Sequence, residues 1–258
     1  MLLALCIAFL GMILFLSQFF SFFPSIIGGL LYSLSPWVAT EIFVRGNLGE
    51  MWFIALLPLS LALITTLSKK YSGLIMIVTT LILSFLFTTH NALSLIGFGI
   101  VLVYSIAQEQ KKNVFLSIAL ALTSTAYFWL PFIWETKLTY ALAVAQKTNF
   151  TEHFLCITQL WTTPFWGFGG STTGCTDGMS FMLGKVAIIF GLLGLFLAVI
   201  RFKSITYKLT FSILFLFTIG ASFLTIYQSA PVWQVLKPVL SPFQFPWRFL
   251  PVALFGLV

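Results

Sequence analysis

The sequence predicts an all-α protein, a polytopic bundle of transmembrane helices with about seven complete spans and a truncated eighth. Three observations carry that expectation. The chain is 60% hydrophobic and only 7% charged over 258 residues, with a mean hydropathy of +1.07, whereas soluble domains are about 25% charged. Its apolar runs approach the ~20 residues that a spanning helix needs. Its short connections carry Lys and Arg at regular alternation, the pattern that sets membrane orientation. In such a chain the net charge of +7 reports topology, and nucleic acid is not an expected partner.

The first span is read over about Leu2 to Phe20. It lacks the basic leader and small-residue cleavage site of a signal peptide, so it is read as a retained helix. Residues 25–34 follow, broken by Gly28 and Gly29 and flanked by Pro24 and Pro36. Ten residues are too few to cross, which predicts an interfacial or re-entrant segment. The second span is about Gly49 to Ser68, the third Ser72 to Thr89, the fourth Ala92 to Ala107 and the fifth Val114 to Trp134. A long polar segment, 135–180, separates these from a sixth span, Phe181 to Ile200, and a seventh, Leu209 to Tyr227. A last helix starts near Trp247 and runs for about half a span, so residues 1–258 are read as a single transmembrane domain and a fragment of a longer chain.

Lys69 and Lys70, Lys111 and Lys112, and Arg201, Lys203 and Lys208 then fall on one side, which the positive-inside rule makes cytoplasmic. The opposite face holds the large connections, and any site is expected there. No internal repeat of the kind found in transporters stands out. Trp129, Trp134, Trp161, Trp166, Trp233 and Trp247 lie near outer helix ends or loops, where an interfacial aromatic belt is expected.

Residues 35–61, SPWVATEIFVRGNLGEMWFIALLPLSL, carry the strongest chemical signal. Glu41, Arg45 and Glu50 fall within ten residues of a chain poor in charge. Ionisable groups at the lip of a membrane helix point to function, and Glu41 and Arg45 share a helix face at a spacing of four. Two readings stand, a functional site and an ion pair bracing the segment. The outward ionisable set also holds His90, Glu135, Lys137, Lys147, Glu152, His153, Asp177, Lys185, Lys237 and Arg248. His90, in FTTHNAL, fits a proton shuttle or phosphate contact, and Asn91 fits a capped helix-to-helix turn. Arg248 follows Pro246, which suits a first helical turn. A cation beside free helix N–H groups would suit phosphate. The plain alternative is an arginine anchoring the helix at the headgroups.

No Walker A, GxGxxG, HExxH or CxxC pattern is present, so no nucleotide cradle or dedicated metal site is implied. No cofactor is evident, and a divalent metal stays open. GFGGSTTG (167–174) reads as a flexible external loop. Cys156 and Cys175 share the long outer segment and form a possible disulfide in an oxidising compartment. Asn149 heads an NFT acceptor pattern for glycosylation.

The run LLYSLSPWVATEIFVRGNLGEMWFIALLPLSL resembles a segment of large bacterial and archaeal membrane proteins. In these a Y-x-x-S-P-Y turn precedes V-R-G-x-x-x-E and an A-x-x-x-x-P-L helix. THNAL and QFPWRFL resemble two further marks of that family, labelled 6-pyruvoyl-tetrahydropterin-synthase-related, a label that carries no pterin chemistry here. Trp37 stands where Tyr is more usual. The family looks like part of the GT-C group of glycosyltransferases, which use polyprenyl-phosphate-linked sugars on the extracytoplasmic face. The resemblance implies Glu41, Glu50 and His90 as candidate catalytic residues and Arg45 and Arg248 as candidate binders of the donor. It also implies a place in a bacterial or archaeal plasma membrane, with membrane lipid, a polyprenyl-phosphate sugar and an undefined glycan or protein acceptor as partners. The GT-C catalytic acid, usually Asp, lies in a first outer loop expected upstream of this chain, so the isolated 258 residues are expected to be inactive. The alternative is a non-catalytic protein, a lipid-linked sugar transporter, flippase or scaffold.

Overall fold

The computed structural model describes residues 1–135, 138, 149–163, 165–201 and 205–258. Lys137 and Lys147 of the outward set and Lys203 of the third basic connection lie outside them. Regular structure among the described residues is helical, apart from one isolated parallel bridge between Leu155 and Ile226. The helices are α1 (Leu2–Leu16), α2 (Phe22–Ser33), α3 (Pro36–Thr40), α4 (Leu48–Lys69), α5 (Gly73–Thr88), α6 (Asn91–Ile106), α7 (Lys111–Ser124), α8 (Ala126–Glu135), α9 (Lys185–Arg201), α10 (Ile205–Thr225), α11 (Ala230–Val235), α12 (Lys237–Leu240) and α13 (Leu250–Leu257).

By length and composition, α4 and the Tyr207–Thr225 part of α10 can each cross a membrane. Two bent pairs can add to them: α2 with the Pro36–Arg45 segment, bent by 41°, and α7 with α8, bent by 62°. The described residues therefore supply two to four candidate spans. The expected seven-span count is not met by single helices, because α1, α5 and α6 are 15 or 16 residues long. At 1.5 Å per residue each falls short of a ~30 Å hydrocarbon core.

Helix α4 is the axis of the bundle. It is buried along most of its length, from Met51 and Phe53 to Leu67. Pro58 sits inside it and cannot donate to the carbonyl four residues earlier, that of Ile54. The Tyr32 hydroxyl from α2 donates to that same carbonyl at 2.8 Å. An interior proline is thus tolerated because a neighbouring side chain satisfies the group it orphans. Further along, Thr65 hydrogen-bonds the Leu61 carbonyl (2.9 Å) and the Tyr104 hydroxyl of α6 (2.6 Å). Buried hydroxyls in this apolar bundle are mostly paired in this way.

Helix α1 runs parallel to α4. Gly11 packs against Leu59, and Gln18, just beyond α1, meets Thr66 and the Lys69 ammonium. Helix α2 then returns antiparallel to α1, with Gly29 against Phe9 and Ile13. The helix starts earlier than the expected segment 25–34, at Phe22, and with the Pro36–Arg45 turn after it forms either a broken span or a re-entrant loop. Its glycines are close-packing points, as is common where membrane helices meet; a Cβ on Gly29 would lie 2.8 Å from Ile13 Cγ1.

The bundle accordingly has two distinct ends. One gathers Gln18, Lys69 and the 107–110 turn, where the Gln110 N–H donates to Ser68 Oγ at 3.1 Å, together with Tyr207 near the start of α10. The other gathers the α3–α4 elbow, the α5–α6 turn and the segments 149–163, 165–184 and 226–249. Trp233 and Trp247 do not join an exterior aromatic belt. They are 0% and 4% exposed, and their indole N–H groups donate to the Leu224 carbonyl and Ser171 Oγ. Trp134, Trp161 and Trp166 are exposed.

Candidate functional site

The site is assembled on an elbow. Ser35 caps α3 by accepting from the Val38 N–H, and Pro36 takes the first helical position, where its missing N–H costs nothing. Helix α3 opens into a single π-helical turn, Glu41–Arg45, a widening often found at functional sites. Gly46, at φ +60°, ends the turn in the left-handed region that glycine enters freely. Asn47 then caps α4. Its Oδ1 accepts from the Glu50 N–H (3.2 Å), and its Nδ2 donates to Glu50 Oε1 (2.9 Å).

Glu50 is the focus of the arrangement. The Arg45 guanidinium holds it through both nitrogens, Nη1 to Oε2 and Nη2 to Oε1 (2.8 Å). Arg248 Nε stands 3.4 Å and His90 Nε2 3.7 Å from Glu50 Oε1. Arg45 Nη1 also pairs with Glu41 Oε1, which leaves the buried Glu41 Oε2 without a hydrogen-bond partner. The five candidate residues from sequence, Glu41, Arg45, Glu50, His90 and Arg248, therefore meet in one cluster. Three separated segments supply them.

Close backbone approach makes this convergence possible. A Cβ on Gly49 would lie 2.5 Å from the Thr89 carbonyl, so only glycine lets the first turn of α4 press against the α5–α6 turn. His90, not Asn91, caps α6: its Nδ1 accepts from the Leu93 N–H at 3.4 Å. An accepting Nδ1 places the ring proton on Nε2, the nitrogen that faces Glu50. Burial pulls the His90 pKa below its ordinary value, with Glu50 opposing the shift and the two arginines adding to it. His90 is therefore neutral near pH 7.

Arg248 is held from its own loop. Its Nη1 donates to the Phe243 carbonyl (2.8 Å) and to Gln244 Oε1 (3.2 Å). Gln244 adopts φ 62°, an unusual conformation for a residue other than glycine. The expected pairing of Arg248 with a free helix N-terminus does not form. Pro246–Phe249 is a 3₁₀ turn in which the Arg248 N–H bonds the Phe245 carbonyl.

Aromatic rings wall the cluster. The Arg45 guanidinium lies 4.4 Å from the Trp247 ring centroid and 5.8 Å from that of Trp37. Trp37 stacks on Phe181, and Trp247 on Phe245. The side chains of Arg45, Arg248 and His90 keep 12%, 13% and 19% of their surface exposed, whereas Glu41 and Glu50 keep none. What exposure the cluster has therefore belongs to the arginine and histidine side chains and none to the carboxylates.

Residues 149–163 and 165–184 pack at this end of the bundle. The structure joins Cys156 to Cys175, with Cα atoms 5.4 Å apart. Buried Asp177 accepts from the Thr172 N–H (2.7 Å) and from the Gln159 amide. Burial raises its pKa against the pull of those bonds. Thr40 Oγ1 donates to the Ser180 carbonyl at 3.0 Å, tying the segment to α3. Of the residues not singled out from sequence, Asn47 had a readable signal, the N-x-x-E capping pattern. Ser171 had none, and Trp247, read from sequence as part of an interfacial belt, lies instead against Arg45.

Among the described residues, no three His, Cys, Asp or Glu side chains are grouped to hold a metal ion. Comparison with protein-family models, curated proteins and solved structures found no match.

Proposed function

We propose that this is a multi-span membrane protein that binds the phosphate of a polyprenyl-phosphate-linked sugar at the Glu50 end of the bundle and acts as a GT-C-type glycosyltransferase. In this reading the shorter apolar helices also cross the membrane, and α2 with the Pro36–Arg45 turn adds one span to the expected seven. The Lys69 end is cytoplasmic and the Glu50 end extracytoplasmic. The observation that carries the proposal is the exposure pattern: Arg45, Arg248 and His90 keep exposed surface, and the two carboxylates keep none. Planar guanidinium groups suit phosphate oxygens, and fixed donors there would stabilise charge on a phosphate leaving group.

The roles then divide. Glu50 accepts from Arg45 through both oxygens and from Asn47, so it serves as the anchor that orients Arg45, Arg248 and His90. Glu41 keeps one oxygen unpartnered and is the better-suited carboxylate to accept a proton from an acceptor hydroxyl once the side chains that seal it part on donor binding. A second reading, a non-catalytic transporter, flippase or scaffold, is favoured by one specific observation. Neither carboxylate has exposed surface, as in an ion cluster that only locks the loops together.

The test is sugar release from polyprenyl-phosphate donors by the full-length protein in membranes, comparing wild type with Glu41→Gln and Arg45→Ala. The expected result is loss of turnover at normal membrane abundance. Unchanged turnover in both variants would reduce the cluster to a brace. No turnover in any form would favour the second reading.

A further inference from the structure

A second group of reactive side chains lies on the segment that packs at the Glu50 end. His153 Nδ1 and Ser171 Oγ are 2.8 Å apart, and Trp247 Nε1 lies 2.9 Å from the same Oγ. An indole nitrogen only donates. Ser171 therefore accepts from Trp247, and its single hydroxyl proton is free to point at His153 Nδ1. That is the resting geometry of a nucleophile with its base.

The surroundings hold both partners in place. The Phe245 ring and the His153 imidazole meet edge to face, with centroids 4.8 Å apart. Asp177 binds the N–H of Thr172, the residue next to Ser171. The Cys156–Cys175 bond closes the loop that carries Ser171. Access is present as well: His153 and Ser171 are half-buried, and a Cβ placed on Gly170 would meet nothing within 4 Å. Phe165, Trp166 and Phe168, three to six residues before Ser171 in the chain, are 59%, 47% and 84% exposed, and a hydrocarbon acyl group is the substrate class that exposed aromatic rings on this loop would favour.

We propose that Ser171 and His153 form a nucleophile–base pair that reacts with carboxylic esters of apolar acyl groups. Ser171 Oγ attacks the carbonyl carbon as its proton passes to His153 Nδ1. The bond to the alcohol oxygen breaks, and the alcohol leaves with that proton. Water, deprotonated by the same nitrogen, then releases the acid and restores the serine. Trp247 holds Oγ in place through its N–H. This activity does not rest on the glycosyltransferase reading, and its nucleophile and base are not members of the Glu50 cluster, which it touches only through Trp247.

The test is labelling of the full-length protein in membranes by an alkyl fluorophosphonate, in which the serine oxygen displaces fluoride from phosphorus, with the adduct mapped by mass spectrometry. The expected adduct is on Ser171. It should vanish in Ser171→Ala, form at least about 100-fold more slowly in His153→Ala, the range for loss of a general base, and persist in Thr172→Ala and Thr173→Ala. An intact Cys156–Cys175 bond, read in the same spectra, establishes that the loop of each variant has formed. No adduct on Ser171 of the wild-type protein overturns the proposal. Equal labelling of wild type and His153→Ala, with the disulfide intact in both, also overturns it and leaves Ser171 a bridging hydroxyl.

Discussion

The Arg45 guanidinium lies 4.4 Å from the centre of the Trp247 ring, joining the α3–α4 elbow to a loop some 200 residues later in the chain. Trp247 is 4% exposed, and its indole N–H is used by Ser171. One side chain thus ties the cluster to both loops above it. Trp247→Leu removes a partly desolvated cation–π contact and one hydrogen bond, and is expected to cost about 2–3 kcal/mol. Thermal unfolding in detergent checks this, with Trp166→Leu, an exposed indole, as the near-neutral comparison.

Glu50 balances two guanidiniums. Replacing it with Gln leaves Arg45 and Arg248 facing each other with only Glu41 to compensate. Breaking a buried pair by removing one partner costs about 3–5 kcal/mol, so Glu50→Gln is expected to lower the unfolding temperature more than Glu109→Gln, a change at the opposite end. Equal stabilities for the two variants would contradict the cluster.

His90 makes the site sensitive to acid. Its folded-state pKa is depressed, chiefly by burial, with Arg248 and Arg45 adding to the effect and Glu50 opposing it. The stability it contributes is fully present above the unfolded value of about 6.5 and is lost as pH falls through the lower folded value. Wild-type protein should therefore destabilise more steeply below pH ~6.5 than His90→Gln. Parallel pH–stability curves would remove His90 from this role.

The extent of α2 differs between sequence and structure, and the direction of α1 beside it is testable. A cysteine at Gln18 should label with a membrane-impermeant thiol reagent from the same side as one at Lys69. A cysteine at Leu2 should label from the opposite side. Labelling of Leu2→Cys and Lys69→Cys from one side would contradict the parallel run of α1 and α4.

That disagreement shows what the sequence makes legible. Helix α4 was readable to within a residue because its apolar run is long and bounded by Glu50 and Lys69. Glu41 and Arg45 were readable as a pair because their spacing is local. The extent of α2 was not legible because Gly28 and Gly29 look like breakers in the sequence, yet serve as contact points once α1 lies against them. The meeting of Glu50 with His90 and Arg248 could not be read at all. It depends on Gly49 passing beside the Thr89 carbonyl and on the QFPWR loop folding back over the elbow, both long-range facts with no local signature.

The most direct test of the central claim is binding of polyprenyl monophosphate to the purified full-length protein, comparing wild type, Arg248→Ala and Lys69→Ala. If Arg45, Arg248 and His90 form a phosphate site, Arg248→Ala should weaken binding by about tenfold or more, one charge-assisted contact being worth ~1.5–3 kcal/mol. Lys69→Ala, at the far end of the bundle, should bind as wild type does. Equal affinity for wild type and Arg248→Ala, in protein that elutes as a single folded species, would contradict the account.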